Sequence, residues 1–146
     1  MIPAKHLLVL LCSVALAMTA SAQGRQTKGE KPLSISQGQR VELAHFFVTG
    51  KTTIFVFTSE YSRLCRQYSE PLLVLHQRAA NLAVVKIDIN RPEYHEVDWD
   101  SPVARQYTLS EKGGLPFFAI YGADGKLVAA GADARRQIDE RLAGQE

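Results

Sequence analysis

Two β-rich runs with a helical segment between them limit what this chain can fold into more than any other feature. "TTIFVFT" (Thr52 to Thr58) is β-branched and aromatic with almost nothing polar inside it, the pattern of a strand buried on both faces of an α/β sheet. "LAVVKIDI" (Leu82 to Ile89) reads the same way. Between them, from Ser62 to about Ala80, the apolar residues move to helical spacing, with Leu64, Tyr68, Leu72, Leu75 and Ala79 on one face. Pro71 falls inside that helix, where it predicts a kink. Strand, helix and strand with short joins form a right-handed βαβ unit, so the two strands run parallel.

The rest of the chain extends this unit. "LSIS" and "RVEL" alternate weakly and predict a short strand or hairpin ahead of it. "SPVARQY" reads as a short helix with Ser101 as cap and Pro102 in its first turn. "PFFAIYGADGKLVAAG" predicts a hairpin: Phe117 to Tyr121, a turn through Asp124-Gly125, then Lys126 to Ala130. "ADARRQIDERLAG" closes as an amphipathic helix ending near Gly144. The order β-α-β-α-β-β-α gives an α/β fold, a central mixed sheet with helices on both faces. At 146 residues, 46% hydrophobic and 22% charged, the chain suits one folded domain and not two. A net charge of +2 gives no reason to expect nucleic acid as a partner.

The first residues read as an address. One firm positive charge in "MIPAKH" precedes the apolar "LLVLLCSVALAM", too short to span a bilayer, and Ala20-Ser21-Ala22 matches a signal-peptidase site. The expectation is a signal peptide over residues 1–22, a polar flexible linker over 23–32 and one domain over 33–146. The protein is then exported, periplasmic or extracellular, with no membrane span after cleavage; retention of the leader as an anchor is the alternative. Cys12 leaves with the leader, and Leu11 is too bulky before it for a lipid attachment site. Cys65 then remains alone, and no internal disulfide can form. A single thiol in an oxidising compartment is buried and inert, paired with a partner, or kept reduced for use.

The order of elements, with the residues at their joins, resembles the thioredoxin superfamily over about Leu33 to Leu142. "FTSEYSRLCR" is similar to that family's strand, aromatic, C-x-x-C and basic residue, with Tyr61 in the tryptophan slot and Ser62-Arg63-Leu64-Cys65 in the motif slot. "GGLPFF" resembles the cis-proline turn, with Pro116 as the proline, and "YGADGKLVAAGA" the final hairpin with its following glycine, Gly131. The resemblance implies a thiolate at the first motif position, activated at a helix start and resolved by the second cysteine. Here the first position is Ser62, whose hydroxyl cannot serve as a redox sulfur and instead suits a helix N-cap. The strand position that often holds a buried acid is Val56. The motif is degenerate, and the family's dithiol cycle is not expected.

Two readings of Cys65 follow. It is a buried apolar side chain, or, with Arg63 and Arg66 beside a helix start, a reachable thiolate that forms mixed disulfides. The proline turn implies something independent of sulfur: the Leu115 backbone before Pro116 pairs an extended peptide as an added strand, with Tyr61, Leu64 and Phe117 as an apolar rim. The leading function is therefore a protein- or peptide-binding protein of the cell envelope. The alternatives are a one-cysteine thiol–disulfide oxidoreductase acting through Cys65 and a structural subunit of an envelope complex.

Other constellations point elsewhere less strongly. "DINRPEYHEVDWD" gathers Asp88, Glu93, His95, Glu96, Asp98 and Asp100, but it lacks the glycine and alternation of a calcium loop, and no cysteine or histidine pair has zinc spacing. It reads as a solvated partner-contacting insertion anchored by Trp99, and no metal or cofactor is expected. His45 and His76 are isolated and read as structural. Neither a nucleophile elbow, a phosphate loop nor a dinucleotide fingerprint is present.

Overall fold

The computed structural model describes residues 30–145, so the leader and most of the linker lie outside the described residues. Five strands form one mixed sheet in the order β1-β3-β2-β4-β5. They are β1 (Leu33–Ile35), β2 (Thr52–Thr58), β3 (Leu82–Asp88), β4 (Phe117–Tyr121) and β5 (Leu127–Ala130). β2 and β3 run parallel, as the βαβ reading requires, and β1 adds in parallel to the far side of β3. β4 lies antiparallel to β2, and β5 closes the hairpin with a register shift at Ile120/Tyr121.

Alternation along the strands divides the core into two layers. Ile54 and Val56 of β2, Val84 of β3, and Phe118 and Ile120 of β4 face one side. There they meet Leu72 and Leu75 of α1 (Arg63–Arg78) and Ala134 and Ile138 of α3 (Gly131–Ala143). Phe55 and Phe57 face the other side, against Val41, Leu43, Leu109, and Val103 and Ala104 of α2 (Pro102–Gln106). Each fully buried side chain of this size contributes about 1.5–3 kcal/mol of transfer free energy. The phenol of Tyr68 donates to Asp139 Oδ1 at 2.6 Å and joins α1 to α3; burial first, and then this bond, push its pKa up to about 12.

Local chemistry accounts for the element ends. Ser62 and Ser101 cap α1 and α2, accepting from the N–H groups of Cys65 at 3.3 Å and Ala104 at 3.2 Å. α1 passes through Pro71 from Arg63 to Arg78. His76 fills a place the sheet leaves open. Because β1 begins opposite Val85, the Val84 N–H donates instead to His76 Nδ1 at 3.0 Å.

Four expectations need correction. "RVEL" leads into a single 3-10 turn, Leu43–Phe46, and not into a strand or hairpin; Val41 and Leu43 dip separately into the core. Leu64 is 39% exposed, because in the first turn of α1 the inward-facing position is taken by Cys65. Trp99 is 37% exposed and does not anchor its loop. The second hairpin strand also begins one residue later, at Leu127.

Candidate functional site

Register alone brings the motif-bearing segments to one edge of the sheet. Thr58 is opposite Asp88, and Phe57 is opposite Phe117. The chain leaving β2, the loop leaving β3 and the turn entering β4 therefore meet at the carboxyl ends of the parallel strands, where open α/β sheets place their sites.

The Ser59 to Cys65 segment is held by short-range bonds. The Ser62 N–H donates to Ser59 C=O at 3.1 Å and the Tyr61 N–H to Ser59 Oγ at 3.2 Å. Ser62 has extended backbone (φ −88°, ψ 119°), the geometry of an N-cap. Its oxygen is committed to the helix, where a dithiol site would place its attacking sulfur. Cys65 is free and 4% exposed, in one cluster with Phe57, Ile87 and Leu115. Arg63 is exposed. The Arg66 guanidinium donates to the Glu60 carbonyl at 2.7 Å and so braces the turn.

The Leu115–Pro116 peptide is cis. Leu115 is nearly buried, and no hydrogen bond between described residues uses its N–H or C=O. The Pro116 carbonyl, in contrast, accepts from Arg135 of α3 at 2.6 Å. The expected rim is split. Tyr61 lines a groove of about 650 Å³ with Tyr94 to Asp100. Phe117 opens onto a separate cavity of about 180 Å³ with Gly131 and Arg135, under the Lys112 ammonium at 5.1 Å from its ring centre. Leu64 lines neither.

The loop after β3 is fixed by a polar network that no local sequence signal announces. Asn90 Oδ1 accepts from Ser59 Oγ at 2.7 Å and from the Asp98 N–H at 3.3 Å, while its amide donates to Glu96 C=O at 2.6 Å. Asp98, 2% exposed, takes two bonds from the Arg91 guanidinium at 2.7 and 2.9 Å, which hold its carboxyl below the usual range. Arg91 also packs against Gly38. A side chain at Gly38 would meet it at 2.6 Å, and the positive φ of +80° there already favours glycine. Asn90, Asp98 and Arg91 are thus the anchors that Trp99 was expected to provide.

This loop reaches the site through His95, whose Nδ1 is 3.3 Å from the Tyr61 hydroxyl. Burial, and then Glu60, push the Tyr61 phenol up. Asp88 is raised by burial and by the Glu60 charge, against the Asn90 N–H and Lys86. Among the described residues no three carboxylate, imidazole or thiol groups converge as a metal site would require, and no helix is long and apolar enough to cross a membrane.

No family model matches the chain, and no curated protein sequence does. Solved structures do. A thioredoxin from Trypanosoma brucei brucei is 16% identical with a TM-score of 0.54, over 84% of this chain and 97% of that one. A mutant thioredoxin from Halobacterium salinarum NRC-1 is 18% identical with a TM-score of 0.50, over 79% of this chain and 91% of that one. At such identities the likeness speaks for the path of the backbone and not for chemistry, and it agrees with the sheet order and the cis-proline turn: the chain has the thioredoxin fold.

Proposed function

We propose that this is an exported thioredoxin-fold protein of the cell envelope that binds an extended protein or peptide segment along its Leu115–Pro116 edge, without a dithiol–disulfide cycle of its own. The observation that carries it is the pairing state of Leu115. Its N–H and C=O have no partner among the described residues, whereas buried backbone groups are nearly always paired. At the same end of the sheet, Tyr61, Tyr94 and Trp99 line an open groove. Strand addition uses such backbone groups for affinity and side-chain pockets for selectivity. Ser62, spent as a cap, leaves no attacking sulfur.

The test is an amide chemical-shift map with a reduced, carboxymethylated, permanently unfolded protein as probe. Saturable shifts centred on Leu115, Tyr61 and the Tyr94–Trp99 loop are expected, with no reduction of insulin disulfides. Shifts absent, or confined to another face, would overturn the reading. The one-cysteine alternative draws on a different observation: Cys65, though buried, forms part of the wall of a polar cleft between α1 and β3.

A further inference from the structure

That cleft lies between α1 and the β1–β3 edge and has a volume of about 220 Å³. Cys65, Arg66 and Ser69 of α1 form one wall, Lys86 and Asp88 of β3 the other, and Glu60 stands at its rim. The strand register explains the composition. Val56 is opposite Lys86 and Thr58 opposite Asp88, so these β3 residues point to the α1 side of the sheet. They project just where the apolar layer of Val56 and Val84 ends. The site's acid is therefore on β3, one register step beyond Val56, and it shares a space with the thiol.

Two cations and two carboxylates surround this small space, yet none of the four forms an ion pair among the described residues. Arg66 donates to the Glu60 carbonyl and Asp88 accepts from the Asn90 N–H, so charges of both signs line the cavity together with Ser34, Thr58, Ser69 and the Cys65 sulfur. A polypeptide segment is too large for about 220 Å³, and a singly charged molecule would leave one pair of charges unmatched. A small molecule with one carboxylate and one ammonium satisfies both.

We propose that this cleft binds small zwitterionic disulfides of the amino-acid type and that Cys65 is reversibly capped there. The ligand's carboxylate faces Arg66 and Lys86, and its ammonium faces Glu60 and Asp88. The Cys65 proton passes to solvent through the open side of the cleft, and the thiolate bonds to the nearer ligand sulfur. The ligand's S–S bond breaks, and its other half departs as a thiolate that takes a proton from solvent. Cys65 is oxidised to a mixed disulfide and the departing half is reduced to a thiol. The cap is removed by the reverse exchange with a free small thiol.

The experiment compares two probes on the folded protein, cystine and the uncharged 2-hydroxyethyl disulfide. Capping is read by mass on the peptide that carries Cys65, with the denatured chain as reference. Folding should raise the cystine-to-neutral rate ratio by roughly tenfold, the factor expected of about one charge-assisted hydrogen bond to the bound ligand. Arg66→Gln and Asp88→Asn should each lower that ratio several-fold. Asp88→Asn should do so without slowing the neutral probe, which has no ammonium for that carboxylate to hold. Ser69→Trp should block both probes. A ratio equal to that of the denatured chain, a ratio indifferent to Arg66 and Asp88, or no capping of folded protein by either probe would each overturn the proposal. None of these outcomes bears on peptide binding at Leu115, which is not among the residues of the cleft.

Discussion

His76 offers a direct test of how the sheet edge is built. The side chain is 6% exposed. Its Nδ1 accepts the Val84 N–H, so the proton of the neutral ring is on Nε2, which has no partner among the described residues. Burial holds the imidazole pKa below its ordinary value of 6.5. The sign follows from linkage. The unfolded chain protonates this group as the pH falls through about 6.5 while the folded chain resists, so stability is full above that value and declines below it until the depressed folded pKa is reached. The substitution His76→Phe keeps the volume but removes the acceptor. It strands the Val84 N–H at a cost of about 1–3 kcal/mol, partly offset because a buried, unpartnered Nε2 also disappears. The expected net loss near pH 8 is about 1 kcal/mol. Urea melts of both proteins from about pH 8 to about pH 5 decide the matter, because the difference between them cancels every other titrating group. The gap should narrow as the pH falls through about 6.5. A constant gap would refute the reasoning, since His76 would then titrate alike in folded and unfolded chains.

Other substitutions probe the site and the core. Ser62→Cys restores a C-x-x-C at the cost of a capping oxygen, with an expected loss of about 1 kcal/mol in the reduced state. It should give measurable insulin reduction where none is expected of the native protein; inactivity of the variant would show that the turn, and not the missing sulfur, prevents the cycle. Asp98→Asn removes the charge that Arg91 grips, so the melting temperature should fall at neutral pH. That deficit should shrink in acid, since the wild-type advantage is lost as the pH drops through the lowered Asp98 pKa. Phe118→Ala, at a side chain with no exposed surface, should cost about 3–5 kcal/mol in chemical denaturation without altering the pH dependence.

The fold was legible because it is written in local periodicity. "TTIFVFT" and "LAVVKIDI" announce buried parallel strands, and the spacing of Leu72 and Leu75 announces the helix over them. The site was legible where one residue settles its own local geometry, as Ser62 does by capping α1. It was not legible where partners are far apart in the chain. Ser59 and Asn90 meet across 31 residues, and neither carries a signal of the other. The edge-filling role of His76 depends on where β1 begins, which weak alternation in "LSIS" cannot fix. Periodicity also misled at Leu64, since the first turn of a helix lying over a sheet edge buries one position only, and here Cys65 takes it. Val56 stands on β2 where the resemblance would place an acid. Only the register of β3 shows that Asp88 brings an acid to the same space from the next strand.

These details explain why the edge stays ordered without a disulfide. In a C-x-x-C protein the oxidised pair ties the turn after β2 to the first turn of α1. Here the same turn is tied from both sides by oxygen and nitrogen. Ser62 caps the helix, Ser59 receives the Tyr61 N–H and donates to Asn90, and Asn90 receives Asp98, which is gripped by Arg91. Each such bond is worth about 0.5–1.5 kcal/mol net, and those to charged groups about 1.5–3. A handful of them therefore matches the few kcal/mol that a short-loop disulfide supplies. This bracing does not change with redox state, so the Leu115 edge keeps one shape in oxidising and reducing conditions alike. Binding at that edge should therefore be insensitive to dithiothreitol, and a binding constant that changed on reduction would locate the recognition at Cys65 instead.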